Sequence, residues 1–238
     1  MLILALDSAT PVAGVALWED GKLLREEFVN YKKTHSETLM PMVDQVLTGC
    51  EKRIQDVSAM ALTIGPGSFT GLRIGMAAIK GISLATGIPV VGFSTLEVMA
   101  HNFAYSKALV CPLLDARKQE VYAGFFDMSA GYPKKLAEEI ACSPNEFMAM
   151  ALEKQALYDK EKIILLGDGY FPYQEDFLKE LGDQCIIAPS HLMLPRASAL
   201  ADLAVSKVEQ KEYIDMMKLR PIYLRLSEAE YRLGKGEL

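Results

Sequence analysis

Two short apolar runs, 108 positions apart, each end in an aspartate and then turn back. Leu2-Ile3-Leu4-Ala5-Leu6 meets Asp7-Ser8-Ala9-Thr10-Pro11 ahead of a second run, Val12–Trp18. Leu109–Leu114 meets Asp115 and the polar turn Ala116-Arg117-Lys118-Gln119 ahead of Val121–Phe126. Both second runs carry Ala-Gly early, at Ala13-Gly14 and Ala123-Gly124. Apolar runs of this length bounded by turn residues are strands, and a repeated strand–Asp–turn–strand unit predicts an internal duplication. It also accounts for a length of 238 residues, which exceeds one typical domain and falls short of two large ones. The expected units are residues 1–106 and 107–238, with the C-terminal helix and tail able to pack back on the first.

The rest of each half fits an α/β reading. Glu19-Asp20-Gly21-Lys22 is a hairpin turn leading to a third strand, Leu23–Val29. Thr34-His35-Ser36-Glu37 has the spacing of a capping box, so a helix follows to Cys50 with Leu39, Met42, Val43, Val46 and Leu47 on one face. Pro41 inside it predicts a bend or a later start. Val57–Ile64, the turn Gly65-Pro66-Gly67-Ser68-Phe69-Thr70-Gly71, a helix to Ala85 and Val90–Phe93 make a βαβ unit with parallel pairing. A helix from Ser94 or Thr95 to Tyr105 closes the first half. Further helices are expected at Pro144–Leu157, Phe177–Leu181 and Ala197–Val208, and strands at Ile163–Leu166 and Cys185–Ala188. Ile222–Leu226 in the basic tail reads as extended. The fold class is α/β, in two tandem units with mixed sheets flanked by helices.

Composition narrows the function. Half the residues are apolar and a quarter charged, which excludes a disordered chain. Cys50, Cys111, Cys142 and Cys185 are far apart and form no C-x-x-C pair, against zinc ribbons and disulfide frameworks. A formal charge of −6 argues against a primary grip on nucleic acid. Leu2–Leu6 is too short for a signal peptide, and Ile74–Phe93 is broken by Lys80, Gly81, Gly87 and Pro89. A soluble cytoplasmic protein with no membrane partner is expected.

The glycine-rich turn invites a phosphate-binding reading, but its spacing rejects the common forms. Leu72 stands where a P-loop needs lysine, and Thr70 where a dinucleotide fingerprint needs its third glycine. A tight turn capping a helix at Ser68 or Thr70 is the plainer reading. Gly71 and Gly75 lie one helical turn apart, continued by Ala78 and Ile82, and such a face admits a close helix neighbour. Periodicity alone favours a neighbour within the chain. Asp7 and Asp115 fit either a magnesium–phosphate site between two domains or Asx-turns capping hairpins. His35, His101 and His191 are scattered, and no serine or cysteine has a nucleophile signature. The residues alone offer no catalytic constellation.

Five segments together carry a resemblance. They are Leu4-Ala5-Leu6-Asp7-Ser8-Ala9-Thr10, His35-Ser36-Glu37-Thr38-Leu39-Met40-Pro41, the glycine turn through Gly75, Asp115-Ala116-Arg117-Lys118-Gln119-Glu120-Val121-Tyr122, and Pro221-Ile222-Tyr223-Leu224-Arg225. In these the chain resembles the TsaB (YeaZ) family. The resemblance implies two tandem actin-like, ribonuclease-H-like domains and a non-catalytic role beside a TsaD-type subunit, which makes threonylcarbamoyladenosine at adenosine 37 of tRNAs reading codons that begin with A. It implies a TsaE-type ATPase in the assembly, tRNA reached through the complex, and self-association of the free chain. The implied partner face takes His35, Leu39 and Met42 from the first helix, and Phe69, Gly71, Leu72, Arg73, Gly75, Met76 and Ile79 from the second. On this reading the glycine face is exposed.

The resemblance also implies a vestigial nucleotide cleft at Asp7, Ser8, Thr10, Asp115, Arg117 and Lys118. Thr95 and Met99 stand where TsaD-type chains carry a pair of metal-binding histidines. No cofactor is expected to be held tightly by this chain, with ATP and a metal belonging to the TsaD-type subunit. The other readings are an independent actin-fold ATP-binding enzyme and a glycoprotease-like peptidase.

Overall fold

The computed structural model describes residues 1–31 and 34–225, and Leu226 of the expected extended tail lies outside them. The first sheet has the order β3-β2-β1-β4-β5, built from β1 (Leu2–Asp7), β2 (Ala13–Glu19), β3 (Lys22–Val29), β4 (Ala59–Thr63) and β5 (Val90–Phe93). The meander β1–β2–β3 is antiparallel, and β1–β4 and β4–β5 are parallel, as the crossover requires. Helix α1 (His35–Gly49) enters between β3 and β4, and α2 (Phe69–Thr86) between β4 and β5. α3 (Thr95–His101) follows β5.

The second sheet repeats this plan. β6 (Leu109–Arg117) pairs antiparallel with β7 (Glu120–Ala123), which pairs with β10 (Ile140–Cys142); on its other side β6 runs parallel to β11 (Ile163–Leu166), and β11 to β12 (Cys185–Ile187). The order β10-β7-β6-β11-β12 is that of the first sheet. Off that path, the short β8 (Phe126–Asp127) pairs with β6 and with β9 (Lys134–Lys135). The expected run Val121–Phe126 is therefore two strands, split at Gly124-Phe125. The Ala-Gly echo is not structural: Gly14 lies opposite Asp7, whereas Ala123 lies opposite Leu113 rather than Asp115.

Local chemistry sets the helix limits. The Glu37 carboxylate accepts from the Thr34 N–H at 3.3 Å, so α1 starts at His35 with no displacement by Pro41, which sits in its exposed face. At α2 the Ser68 hydroxyl accepts from the Gly71 N–H at 3.2 Å. The same helix ends at Gly87, whose φ of +76° suits a left-handed cap.

Each sheet is covered on both faces. Leu4, Leu6, Val15 and Leu17 meet Leu39, Met42 and Val46 of α1 and Met76 and Ile79 of α2. Ile3, Ala5, Ala16 and Ala61 meet Leu200, Leu203 and Ala204 of α6 (Ala197–Glu209) on the opposite face. Thus α6, which follows the second sheet in the chain, is packed on the first. Glu26 of β3 holds it there, accepting from the Ser198 N–H and hydroxyl at 3.0 Å each and pairing with Arg196 at 2.5 Å. On the second sheet α4 (Pro144–Leu157) and α5 (Gln174–Leu181) cover one face through Phe147, Ala151, Phe177 and Leu181. α3 lies between the units, with Val98 in the core of the first and Leu96 and Met99 in that of the second.

Candidate functional site

The carboxyl ends of β1 and β6 face a cleft of about 420 Å³. Thr10, His35, Gly67, Ser68 and Phe69 line it from the first unit; Asp115, Arg117, Lys118, Tyr122, Asp168 and Arg225 line it from elsewhere. The two aspartates that match in sequence do not match in setting. Asp7 is fully buried and does not line the cleft. Its Oδ1 accepts from the Thr63 hydroxyl and the Ala9 N–H, while Oδ2 has no hydrogen-bond partner. Burial raises its pKa, and the Thr63 hydrogen bond offsets part of that rise.

The glycine turn closes over the β1–β2 loop. Ser68 N–H donates to the Ala9 carbonyl at 2.7 Å, and His35 Nε2 is 2.7 Å from the Thr10 carbonyl oxygen. A Cβ at Gly67, where φ is +155°, would stand 2.1 Å from the Ala9 oxygen. Glycine at this position lets the turn lie flat on another backbone. Ser8 is buried beneath it, its hydroxyl donating to the Gly71 carbonyl at 2.9 Å.

In the second unit Asp115 is half-buried and pairs with Arg117 at 3.1 Å. Its own N–H donates to Asp168 Oδ1 at 3.1 Å, and burial raises the pKa of Asp168. Arg117, Lys118 and Gln119 have φ of +63°, +51° and +61°. Three consecutive residues with side chains therefore hold the left-handed backbone that glycine adopts most readily. Asp7 is sealed from the cleft, Asp115 pairs with Arg117, and the Arg117 and Lys118 side chains stand at the left-handed turn beside it.

The helix face differs from the sequence expectation. Leu39, Met42, Leu72, Met76 and Ile79 are core residues, each at most 5% exposed. Gly71 and Gly75 are buried too, because their Cα atoms press on Ser8: a Cβ would stand 2.1 Å from its carbonyl oxygen and 2.3 Å from its hydroxyl, respectively. The reading of this pair as an exposed partner surface is corrected on that ground. Of the named face, His35 and Phe69 are half-buried and Arg73 is exposed. The outward stripe of α2 is instead Arg73, Ala77, Gly81 and Leu84, and on α1 Met40 and Pro41 are exposed. Leu84 is 72% exposed, and a Cβ at Gly81 would meet nothing within 4 Å.

A family model described as TsaD, tRNA N6-adenosine threonylcarbamoyltransferase, matches residues 22–233. The tRNA threonylcarbamoyladenosine biosynthesis protein TsaB of Bacillus subtilis is 34% identical over 231 residues, covering 97% of this chain and 96% of that one. The chain belongs to the TsaB family. TsaB of Escherichia coli is 29% identical over the whole of both chains. YeaZ from Pseudomonas aeruginosa, 26% identical, superposes with a TM-score of 0.79 over 94% of this chain and 99% of its own. An activator of 2-hydroxyisocaproyl-CoA dehydratase from Clostridium difficile, solved with ADPNP, matches at 10% identity with a TM-score of 0.50 and shares the fold alone. The expected fold class holds: two tandem actin-like units with mixed sheets flanked by helices.

Within this TsaB-family chain, the two positions that resemblance set against metal-binding histidines are interior. Thr95 and Met99 are fully buried, Thr95 Oγ1 without a partner and Met99 in the second core. Among the described residues no group of three or more His, Cys, Asp or Glu side chains could hold a metal ion. Among the same residues no helix is long and apolar enough to cross a membrane. Among the cleft-associated residues that sequence reasoning did not assign to a site are Asp168, Tyr223 and Arg225. Asp168 had a signal, since Gly167-Asp168-Gly169 ends a strand as the other two aspartates do. Tyr223 and Arg225 come from a tail with no periodicity to place it.

Proposed function

We propose that this chain is a non-catalytic subunit that holds a TsaD-type partner in its active arrangement for threonylcarbamoyladenosine formation at adenosine 37 of tRNAs reading codons that begin with A. The observation that carries this reading is the near-complete, 34% identical match to a protein named for that biosynthesis. The geometry supports a partner role over a catalytic one: the glycine turn is spent on packing, Asp7 is sealed, and Thr95 and Met99 are core side chains. The surface offered to the partner is the α1–α2 face around Met40, Ala77, Gly81 and Leu84, where small and apolar side chains point outward from a well-packed core. A second copy of the chain can use the same face, since a two-helix patch suits an isologous contact. A TsaE-type ATPase and tRNA join through the assembly, ATP and metal chemistry resides in the TsaD-type subunit, and the complex works in the cytoplasm.

Reconstitution tests this reading. TsaD-type and TsaE-type proteins, tRNA, ATP and threonylcarbamoyl-adenylate are combined with and without this chain. Modification that depends on the chain is the expected result; equal modification without it overturns the proposal. A thermal-shift titration with magnesium-ATP adds a direct measure of the cleft, because a ligand stabilises the fold it binds in proportion to the logarithm of its concentration over Kd. No shift at sub-millimolar ATP is expected.

A further inference from the structure

Beyond α6 the chain runs along the edge of the first sheet and then crosses to the second unit. The Ile214 N–H donates to the Val90 carbonyl at 2.8 Å, Leu219 is buried in the first core, and the Ile222 N–H donates to the Ile64 carbonyl at 2.7 Å. The Ile222 carbonyl lies so close to Gly65 that a Cβ there would be 2.6 Å from it. The Tyr223 ring then stacks on Phe69, with centroids 4.5 Å apart and planes 16° from parallel, and its hydroxyl accepts from Arg73 Nε at 3.2 Å. Leu224 packs against the second core. Arg225 Nη1 donates to the Ala116 carbonyl at 3.0 Å and pairs with Glu120 at 3.1 Å.

We infer that residues 222–225 form a latch across the cleft, joining the glycine turn at the head of α2 to the left-handed β6–β7 turn. Three features carry this. Ile222 and Tyr223 hold the first unit and Leu224 and Arg225 the second, so the segment spans their junction rather than decorating one of them. Each end grips a turn of unusual backbone: Ile222 lies on Gly65, with φ of +113°, and Arg225 holds the carbonyl that enters the Arg117–Gln119 turn. Phe69 and Arg225 both line the cleft, so the latch borders the space it bridges. Its contacts beyond Ile222 are the Tyr223 ring stack with its hydroxyl bond from Arg73, the Leu224 packing and the Arg225 guanidinium, a set that can open as a local unit while both cores stay folded. The latch also joins the first turn of α2, one end of the proposed partner face, to the opposite unit, through Tyr223 on Phe69 and Arg73.

Hydrogen exchange of the full-length chain tests the inference through two variants, Arg225→Ala and Tyr223→Ala. A latch that couples its two ends loosens at both when either end is cut. Each variant is therefore expected to raise exchange about tenfold in segment 65–71 and in segment 114–120, the size of losing one charge-assisted or aromatic contact, with β1, β4, β6 and β11 unchanged. Loosening of only the turn next to the substituted residue, or of neither turn, overturns the latch. Should Arg225→Ala lower the urea midpoint of the whole fold, Arg225→Gln, which keeps part of the aliphatic stem but loses the reach and the charge that hold Ala116 and Glu120, is read by the same two segments and the same criterion.

Discussion

The Cα of Gly75 rests against the hydroxyl of Ser8: a methyl group at that position would stand 2.3 Å from Ser8 Oγ. The same hydroxyl donates to the Gly71 carbonyl one helical turn earlier. Two glycines that read as an opening for a foreign helix are thus the close approach of α2 to the end of β1. That contact places the glycine turn over the β1–β2 loop and seals Asp7 from the cleft.

Gly75→Ala is therefore expected to destabilise the isolated chain by about 1–3 kcal/mol, the usual cost of overpacking a filled site. Ser8→Ala removes the oxygen and leaves Ser8 Cβ as the nearest side-chain atom, 3.5 Å away, an ordinary contact. In the Ser8→Ala background the added cost of Gly75→Ala should fall to about zero, although Ser8→Ala itself forfeits a buried hydrogen bond worth about 1 kcal/mol. Urea unfolding of the four chains measures the coupling. Additive losses would mean that Ser8 is not what Gly75 accommodates.

Asp7 makes a pH-dependent prediction with a definite sign. Burial raises its pKa in the folded chain above the unfolded value, so folding favours the protonated form. Above the folded pKa both states carry the charge and the fold bears the full desolvation cost. As pH falls through the folded pKa that cost is relieved, and the relief is complete near the unfolded value of 3.8. Asp7→Asn keeps an acceptor for Thr63 and Ala9 without the charge. It should be more stable than the natural chain at pH 7, and the difference should shrink on acidification toward pH 4. Urea midpoints of the two chains from pH 4 to 7 give the comparison; a difference that grows on acidification rules this account out.

How much of this was legible depended on whether the signal was local. Strands and helices of the first half follow from short apolar runs, Asp20-Gly21 and the Thr34/Glu37 cap, all set by neighbours in sequence. The duplication was visible because the apolar runs of β1 and β6 both lead into an aspartate, Asp7 and Asp115, and both sheets do share one strand order. The exposed side of α2 was not visible. Gly71/Gly75 and Ala77/Gly81 are both small pairs one turn apart, and only the position of Ser8 tells which is buried. For α6 the sequence allowed packing back on the first unit, but not what fixes it there: Glu26, 172 positions before Ser198, and Ala197 packed against Gly14. Contacts of such sequence separation leave no periodic trace.

The β6–β7 turn offers a stabilising change. Arg117, Lys118 and Gln119 each hold positive φ, which costs a residue with a Cβ roughly 1–2 kcal/mol. Gln119 is exposed. Gln119→Gly should raise stability by about 0.5–1 kcal/mol, the relieved strain less the extra freedom glycine gains when unfolded. Thermal denaturation reads the gain as a higher Tm, and a fall would show the side chain to be worth more than the strain.

The outward face of α2 separates folding from assembly. Leu84 is largely exposed and makes little contribution to the core, and Gly81 faces open space. Leu84→Glu should leave the Tm of the isolated chain within about a degree, as surface changes do, while weakening a TsaD-type complex by at least tenfold through a charge buried in an apolar contact. Gly81→Ala should stabilise the free helix by about 0.5–1 kcal/mol. Its effect on the complex reports how closely the partner approaches: an added methyl group is tolerated under a loose contact and costs affinity under one where backbones touch. Calorimetric titration of each variant against the TsaD-type subunit, beside its own melting curve, decides the matter. Undiminished affinity in Leu84→Glu would place the partner elsewhere on the molecule.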